Sequence, residues 1–298
     1  MQRGAEQLIL RRLTLLALLI TLCPLIAAAQ SLRETSNVKW KLPEDWFGGF
    51  SAIELDPSGT QMTVLSDRGA VAQARITRDD GRITAIALIR HARLRHRNNN
   101  RMLGISADAE GLALAPDGQL YLSFEQRHRI ARLDPETGRT VNIARFAENP
   151  PFHENNGFEA LAIQPDGTFF MIPEKLKKTG KTLPVYQLQG TTWQKRFDLP
   201  RADPFLPVGA DFDSDGTLYL LERAITPLGF RSQIRRVAFR AEQVETETLW
   251  HTGPGQYGNL EGISLWHDPQ GRIRLTTISD DNFAPILFTQ VVEFILTE

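Results

Sequence analysis

Cysteine is almost absent from this 298-residue sequence, in which Cys23 is the only one. The sequence also lacks the Gly-x-Ser-x-Gly elbow of serine esterases and the phosphate-cradling glycine loop of nucleotide hydrolases. Its six histidines show no spacing typical of metal ligands. These absences disfavour a disulfide scaffold, a serine nucleophile on such an elbow and a zinc site.

Outside the N-terminus, the sequence has no apolar run long enough to span a membrane. Three arginines precede an almost unbroken apolar run over residues 13–26, and alanines follow at 27–29. This order is typical of a signal peptide, since a membrane span needs about 20 apolar residues. An N-terminal membrane anchor is the alternative. We therefore expect residues 1–29 to be removed, leaving a single domain over residues 30–298 in the periplasm or outside the cell.

The charge balance argues against a nucleic-acid partner. The whole chain has 34 basic and 35 acidic residues, and residues 1–29 contain three arginines and one glutamate. The remainder therefore has 31 basic and 34 acidic residues, a formal charge of −3. An exported chain without disulfides is typical of bacterial export, and core packing or a bound ion must stabilise it. We expect a monomer.

A repeat runs through the chain. Five segments each contain an apolar strand, a turn closed by glycine, and a second apolar strand that ends in an acidic residue. The turn glycines are Gly59, Gly118, Gly167, Gly216 and Gly271. Glycine after aspartate is a strong hairpin signal, because glycine adopts positive φ without steric cost. Further strand-like runs between the hairpins give four strands per unit of about 50 residues, which is the pattern of a β-propeller.

The repeat predicts an all-β propeller of five blades, each of four antiparallel strands. Only three strands follow Glu261, so the last blade needs one strand from elsewhere in the chain. The stretch Asn37–Leu42 is apolar enough to supply it. The ring would then close by pairing of the N- and C-terminal strands. A sixth blade that has lost its signature remains the alternative.

When the repeats are aligned on the turn glycine, one position is occupied by Ser51, Glu110, Glu159, Val208 and Glu261. The first strand of each propeller blade lines the central channel, so these residues should converge. Converging carboxylates repel one another unless a cation or protons neutralise them, and hard oxygen ligands suit calcium. We therefore predict a calcium site at Ser51, Glu110, Glu159 and Glu261, interrupted at Val208. The alternative is that each glutamate caps a strand or faces solvent.

The ends of the second strands provide a second polar set. We interpret as catalytic candidates the residues Asp67, Arg68, Glu125, Glu174, Glu222, Arg223 and Asp280. Arginine beside acids at a channel mouth suits an anionic, metal-bridged substrate, because guanidinium groups bind phosphate or carboxylate through two parallel hydrogen bonds. The alternative is a set of ion pairs at the blade edges. If the protein is a hydrolase, these residues allow a metal-activated water with a carboxylate base.

Six short motifs over residues 45–295 resemble one known family. They are Asp67–Gly69, Glu110–Ala113, Phe158–Ala162, Leu221–Arg223, Asn259–Ile263 and Asp280–Phe283. The set is similar to the phytase-like propellers described by "esterase-like activity of phytase". The resemblance implies an exported hydrolase of bacterial type that acts on a small anionic or ester substrate, such as a phosphoric ester.

A second, more distant resemblance concerns the calcium ligands. Ser51, Glu110, Glu159 and Glu261, together with Asp67–Arg68, resemble the plan of calcium-activated nucleotidases, which are five-bladed propellers around one calcium ion. Two other functions remain open from the residues. One is a calcium-dependent lactonase, and the other is a non-catalytic binding propeller whose ion is purely structural.

Overall fold

The structure is a computed structural model that describes residues 30–146, 150–152, 157, 159–178, 180–241 and 243–297. The predicted signal peptide, residues 1–29, lies outside the described residues. Within the described part of the chain, twenty strands form five four-stranded antiparallel sheets, and a short 3₁₀ helix spans Gly104–Ser106. No helix in these ranges is both long and apolar enough to cross a membrane.

Each sheet is one propeller blade. Strand β1 (Ser31–Lys39) precedes the first blade in the chain. Blade 1 contains β2 (Phe50–Leu55), β3 (Gln61–Ser66), β4 (Ala70–Asp79) and β5 (Arg82–Arg93). Blade 2 contains β6 (Ala109–Leu114), β7 (Leu120–Phe124), β8 (Arg129–Leu133) and β9 (Thr140–Arg145). Blade 3 contains β10 (Ala160–Ile163), β11 (Phe169–Ile172), β12 (Thr182–Gln189) and β13 (Thr192–Pro200).

The remaining blades complete the ring. Blade 4 contains β14 (Leu206–Phe212), β15 (Leu218–Thr226), β16 (Gly229–Arg240) and β17 (Gln243–His251). Blade 5 contains β18 (Asn259–His267), β19 (Ile273–Asp280), β20 (Gln290–Thr297) and the N-terminal β1. The innermost strands β2, β6, β10, β14 and β18 each contact the next one around the ring, and β18 contacts β2. The prediction of five blades is therefore confirmed.

The ring closes by pairing of the two ends of the described chain. In this antiparallel pair Ser31 lies opposite Thr297, and Lys39 lies opposite Gln290. The closure is confirmed, although the N-terminal strand begins at Ser31, earlier than the sequence pattern indicates. The pairing joins residues that are far apart in sequence, so the fifth blade forms only when both ends of the chain are in place.

The turn glycines take the backbone conformation that the sequence predicts. All five have positive φ, between 67° and 86°. Each glycine ends a tight turn between an innermost strand and the second strand of the same blade. These turns therefore lie together at one end of the channel, and the starts of the innermost strands lie together at the other end.

Apolar clusters fill the spaces between adjacent blades. Leu65 and Leu122 pack together between blades 1 and 2, and Phe170 and Phe212 lie 5.4 Å apart between blades 3 and 4. Full burial of such a side chain contributes about 1.5–3 kcal/mol, so the clusters account for much of the stability of the ring. They also fix the distance between the innermost strands, and so the geometry of the channel.

Candidate metal centre at one mouth of the channel

The repeat position coincides with a β-bulge in four of the five innermost strands. The register shifts lie between Phe50 and Ala52, Ala109 and Leu112, Pro207 and Gly209, and Leu260 and Gly262. A bulge leaves the extra residue unpaired and redirects its side chain. The extra residues include Ser51, Glu110, Val208 and Glu261, and Glu159 directly precedes the first residue of β10. The fold thereby directs the repeat residues toward the channel.

A small residue follows each repeat residue and lets the innermost strands approach closely. A Cβ atom added at Gly262 would lie 2.7 Å from the backbone nitrogen of Ile53 in blade 1, and one at Gly209 would lie 2.5 Å from the carbonyl oxygen of Glu261. The channel between the strands is narrow as a result, with a cavity of about 10 Å³. A cavity of that size holds about one water molecule.

Among the residues that the structure describes, nine carboxylates surround the end of the channel at which the innermost strands begin. This group, called the acidic mouth below, consists of Asp67, Asp108, Glu110, Glu125, Glu159, Glu174, Glu261, Asp280 and Asp281. Electrostatic repulsion links its members across blades 1, 2, 3 and 5. Two arginines, Arg68 and Arg223, interact with these acids. The mouth therefore carries far more negative than positive charge.

Burial and repulsion raise the pKa values of several acids of this mouth, which therefore keep their protons to higher pH. Burial raises the pKa of Glu261 to about 8; the Arg223 charge opposes this shift and the Asp280 charge adds to it. Burial and the neighbouring carboxylates raise the pKa of Glu110 and of Glu159 well above the usual range of glutamate. The pKa values of Glu125 and Asp280 are also raised, mainly by burial. A divalent cation would replace these protons, because metal ligands must be deprotonated.

Three carboxylates lie at a separation suited to one metal ion. One oxygen each from Asp108, Glu110 and Glu125 lies within 4.8 Å of the others. Calcium–oxygen bonds of 2.3–2.6 Å place opposite ligands about 4.6–5.2 Å apart, so these oxygens can share one calcium ion. Hydrogen bonds hold Asp108 close to Glu125. The Glu125 amide donates to the Asp108 carbonyl at 3.0 Å, and the Gln126 side chain donates to the Asp108 carboxylate at 2.7 Å.

Arg223 connects three blades beneath the mouth. Its guanidinium donates to Glu174 of blade 3 at 3.0 Å and to Asn259 of blade 5 at 2.9 Å, and it also pairs with Glu261. Asn259 in turn donates to Glu261 at 2.7 Å. The pKa of Arg223 is raised by these acids, against the effect of burial. Arg223 therefore serves as an internal counter-charge for two acids of the mouth.

Asp67 carries a buried oxygen with no hydrogen-bond partner in the described part of the chain, its Oδ1 atom. Gly49 lies against this oxygen with a φ of 60°, and a Cβ atom added there would stand 2.4 Å from it. Burial, and then the Asp280 charge, raise the pKa of Asp67 to about 6. An unsatisfied acceptor of this kind is costly unless a proton or a cation binds it.

Arg68 is the more accessible of the two arginines. It is exposed, and its guanidinium lies over the ring of Phe283 at 3.4 Å from the centroid. Asp281 shapes this part of the mouth by accepting hydrogen bonds from the amides of Gly49, at 2.9 Å, and Phe283, at 3.1 Å. The guanidinium of Arg68 thus lies close to Asp67 and stays accessible to solvent, where it can contact a bound anion.

Most of the predicted site residues lie at or beside the acidic mouth, but two of them, Ser51 and Glu222, have other surroundings. Ser51 lines the channel and donates its hydroxyl to the Ala109 carbonyl at 2.8 Å. Val208 interrupts the ring as expected and packs in the apolar cluster between blades 4 and 5. Glu222 does not join the mouth, because Arg235 occupies both of its oxygens at 2.6 and 2.7 Å.

Sequence reasoning missed Asp108 and the Gly48–Gly49 pair, and it named Asn259 and Asp281 only within motifs, without a role in the site. A signal existed for Asp108, since it lies two residues before Glu110, and strand side chains at that spacing point to the same face. Asp281 was adjacent to a predicted residue. The role of Gly49 depends on its contact with Asp67, which the sequence does not indicate.

The opposite end of the channel, at the hairpin turns, also holds buried acids. At this hairpin end Glu54 accepts hydrogen bonds from the Leu114 amide at 3.2 Å and the Ser264 hydroxyl at 3.0 Å. Asp211 accepts from the Leu265 amide at 2.7 Å and from the amide of its own neighbour at 2.8 Å. Burial raises the pKa of Asp211 to about 7, and burial and Asp211 raise the pKa of Glu54.

Solved structures that are similar to this chain have low sequence identity to it. A PQQ-bound aldose sugar dehydrogenase from Streptomyces coelicolor is 13% identical, with a TM-score of 0.50 over 91% of this chain and 99% of that chain. A gluconolactonase from Xanthomonas campestris is 13% identical, with a TM-score of 0.41 over 82% and 72%. The calcium-binding protein regucalcin from Agrobacterium tumefaciens is 13% identical, with a TM-score of 0.43 over 86% and 78%.

The sequence comparisons give the family. No curated protein matches the sequence. A family model for phytase-like proteins, described as "Esterase-like activity of phytase", matches residues 45–283. The match covers most of the chain and includes all five innermost strands and the acidic mouth. The chain therefore belongs to the phytase-like family of β-propellers.

Proposed function

We propose that the acidic mouth binds calcium and hydrolyses a small anionic or ester substrate. The observation that carries the proposal is the convergence, within the described part of the chain, of nine carboxylates with two arginines beside them. Such a cluster is costly unless a cation neutralises it. The family description, "Esterase-like activity of phytase", agrees with this chemistry.

The donor set fits calcium better than a softer metal. Asp108, Glu110 and Glu125 would hold the ion, because their oxygens have the required separation and hard oxygen donors suit calcium. The unpartnered oxygen of Asp67 is a further acceptor at the same mouth. Bound calcium would supply a Lewis acid for an ester or phosphoryl oxygen.

Side chains of the mouth would bind the substrate and position the acids around the ion. Arg68 would bind the anionic part of the substrate, since its side chain is exposed and its guanidinium lies over the Phe283 ring. Asp67 would bind the ion through its unpartnered oxygen and so orient the water that the ion activates. Arg223 would position Glu174 and Glu261 through its ion pairs. The substrate would stay above the channel, because the cavity between the strands is only about 10 Å³.

A binding propeller with a structural ion is the second candidate. It is favoured by Arg223, which already neutralises two acids from inside the protein and joins blades 3, 4 and 5. In that case calcium would raise the melting temperature and no substrate would be turned over. The same assays separate the two candidates.

Activity should be measured on phytate, nucleotides, aryl esters and lactones, with calcium and with EDTA. We expect turnover of at least one substrate class that EDTA abolishes. Asp67→Asn should lower kcat at least tenfold, whereas the exposed control Glu136→Gln should match the wild type. Activity that persists in EDTA would argue against the calcium site, and calcium binding without turnover would favour the structural ion. Activity on lactones alone would identify a lactonase.

We also propose export through the segment at residues 1–29, on its signal-peptide pattern. The full chain should appear in the periplasmic or extracellular fraction and lose this segment on export, which mass spectrometry of the N-terminus can measure. A chain lacking residues 2–29 should stay in the cytoplasm. Retention of the segment in a membrane fraction would instead support the N-terminal anchor.

A further inference from the structure

A second polar cavity lies at the seam where blade 5 meets blade 1, away from the acidic mouth. It has a volume of about 840 Å³. Its wall, called the seam cleft below, includes Arg33, Arg78, Arg82, Arg272, Arg274 and Trp266. The residues come from β1, β4, β5, β18 and β19 and from the turn between β18 and β19. The cleft thus exists only because both ends of the chain meet in blade 5.

Two buried acids hold the inner arginines in place. Glu293 is fully buried and pairs with Arg78 at 2.5 Å and with Arg274 at 3.3 Å. Asp268, also buried, pairs with Arg274 at 3.2 Å and with Arg272 at 2.7 Å. These contacts fix the guanidinium groups, so little side-chain freedom remains to be lost when a ligand binds.

Positive charge remains after these pairs are formed. Five arginines in the wall face three carboxylates, those of Asp80, Asp268 and Glu293, which leaves a formal charge of +2. Arg33 and Arg82 are exposed, and neither has an ion-pair partner among the residues that the structure describes. Arg272 keeps about half of its side chain exposed. Three guanidinium groups can therefore turn their donors toward a ligand.

The wall also contains a buried indole that positions one of the arginines. The indole of Trp266 is buried and carries Arg78 at 4.4 Å from the ring centroid. Gly59 packs against it, and a Cβ atom added there would lie 2.4 Å from the ring. The Trp266 N–H has no hydrogen-bond partner among the described residues. Hydroxyl groups of Ser58 and Thr60 complete the polar lining.

We propose that the seam cleft binds a small polyanion bearing phosphate or carboxylate groups, at a site separate from the acidic mouth. Arginine suits this role because its planar fork matches either group through two hydrogen bonds. The charge of the two cavities supports the separation, since the mouth repels anions that no metal bridges, whereas the cleft attracts them directly. The size of the cavity suits a ligand of small-molecule dimensions.

The test is calorimetric titration of the full mature chain, freed of metal on a chelating resin, with pyrophosphate and, separately, with citrate, at two salt concentrations. The resin removes the metal that the acidic mouth would need to bind these anions, and no soluble polycarboxylate chelator competes for the cleft. The variant is Arg33→Gln with Arg82→Gln, because both side chains are exposed and hold no buried acid. The matched control is Arg75→Gln with Arg196→Gln, which removes the same charge from exposed positions outside the cleft wall.

We expect saturable binding of at least one probe by the wild type, weakened by salt. The cleft variant should bind at least tenfold more weakly, whereas the control variant should stay within about twofold. Binding of pyrophosphate alone would assign phosphate ligands, and binding of citrate alone would assign carboxylate ligands. The proposal is overturned if neither probe binds, or if the control loses as much affinity as the cleft variant. None of these outcomes depends on calcium or on hydrolysis at the mouth.

Discussion

The acidic mouth and the hairpin end lie at opposite ends of one channel, about 10 Å apart along three strand residues. Both contain carboxylates with raised pKa values. At the hairpin end every carboxylate oxygen of Glu54 and Asp211 accepts a hydrogen bond from the protein. At the mouth nine acids crowd together, and an oxygen of Asp67 has no partner among the described residues.

From this difference we infer that the acids of the hairpin end stabilise the ring and that those of the mouth bind a ligand. The hydrogen bonds of Glu54 reach blades 2 and 5, and those of Asp211 reach blade 5, so the hairpin end connects the innermost strands. The mouth uses its acids differently, since Arg223 neutralises only two of them. Satisfied acceptors indicate a structural role, and unsatisfied ones indicate a binding role.

The largest expected effect concerns the one internal counter-charge of the mouth. Arg223→Met should lower the free energy of unfolding by about 3–5 kcal/mol without calcium, because it leaves buried carboxylates uncompensated. Chemical denaturation in EDTA measures this loss, and excess calcium should restore part of it. The control Arg240→Met, whose side chain is exposed, should behave like the wild type. A loss no larger than that of the control would show that Arg223 does not stabilise the mouth.

A glycine substitution tests the close contact between Gly49 and Asp67. Gly49→Ala should cost about 1–3 kcal/mol of stability through its strained φ, and it should also weaken calcium binding, because the new Cβ displaces Asp67. Gly118→Ala is the matched control, since Gly118 also has positive φ but nothing lies within 4 Å of an added Cβ. Thermal unfolding and calcium titration measure both effects. Equal calcium affinity in the two variants would contradict the role assigned to Asp67.

The hairpin end should respond to pH. A carboxyl whose pKa is raised in the folded state stabilises the fold at low pH, and that contribution disappears as pH rises through the folded-state pKa. For Asp211 the window runs from about 4 to its pKa of about 7. Glu54→Gln removes a second carboxyl whose pKa is raised by burial and by Asp211, so it should reduce the loss of stability between pH 5 and pH 8 by about 1–2 kcal/mol.

The matched control for this pH effect is Glu245→Gln, an exposed glutamate at the edge of blade 4. Its denaturation curves at pH 5 and pH 8 should differ by as much as those of the wild type. A Glu54→Gln variant that follows the control would mean that repulsion at the hairpin end is absent.

The smallest expected effect on stability belongs to Arg68. Its stacking on Phe283 is exposed, and such contacts contribute about 0.5–1 kcal/mol. Arg68→Gln should therefore leave the melting temperature nearly unchanged while raising KM for an anionic substrate at least tenfold. A matching change in KM for a neutral aryl ester would contradict the role of Arg68 in binding anions.

The sequence predicted the fold well because each blade repeats its own local signal. The turn glycines, such as Gly118 and Gly216, all take positive φ, and the three strands after Glu261 left a gap that the N-terminal strand fills. The start of the N-terminal strand was predicted less well, since its pairing with β20 extends back to Ser31. That boundary depends on antiparallel pairing between the two ends of the chain, which no local sequence pattern indicates.

The site was only partly predictable, because the bulges decide which side chains face the channel. Glu222 and Arg223 are adjacent and looked equivalent in sequence, yet Arg223 reaches the mouth and Glu222 pairs with Arg235 inside blade 4. Adjacent strand residues point to opposite faces, and the register of β15 decides which one faces the channel. Glu54 and Asp211 belong to blades that are not neighbours, so the repulsion between them could be seen only in the folded ring.

The central claim, that the acidic mouth and not the hairpin end binds calcium, is tested most directly by calorimetric calcium titration of three proteins. The wild type should bind calcium and gain thermal stability. Glu110→Gln, which removes a ligand from the set with Asp108 and Glu125, should bind it at least a hundredfold more weakly, or about 2.7 kcal/mol. Glu54→Gln should bind within about twofold of the wild type. Absence of calcium binding by the wild type, or equal loss in both variants, would contradict the account.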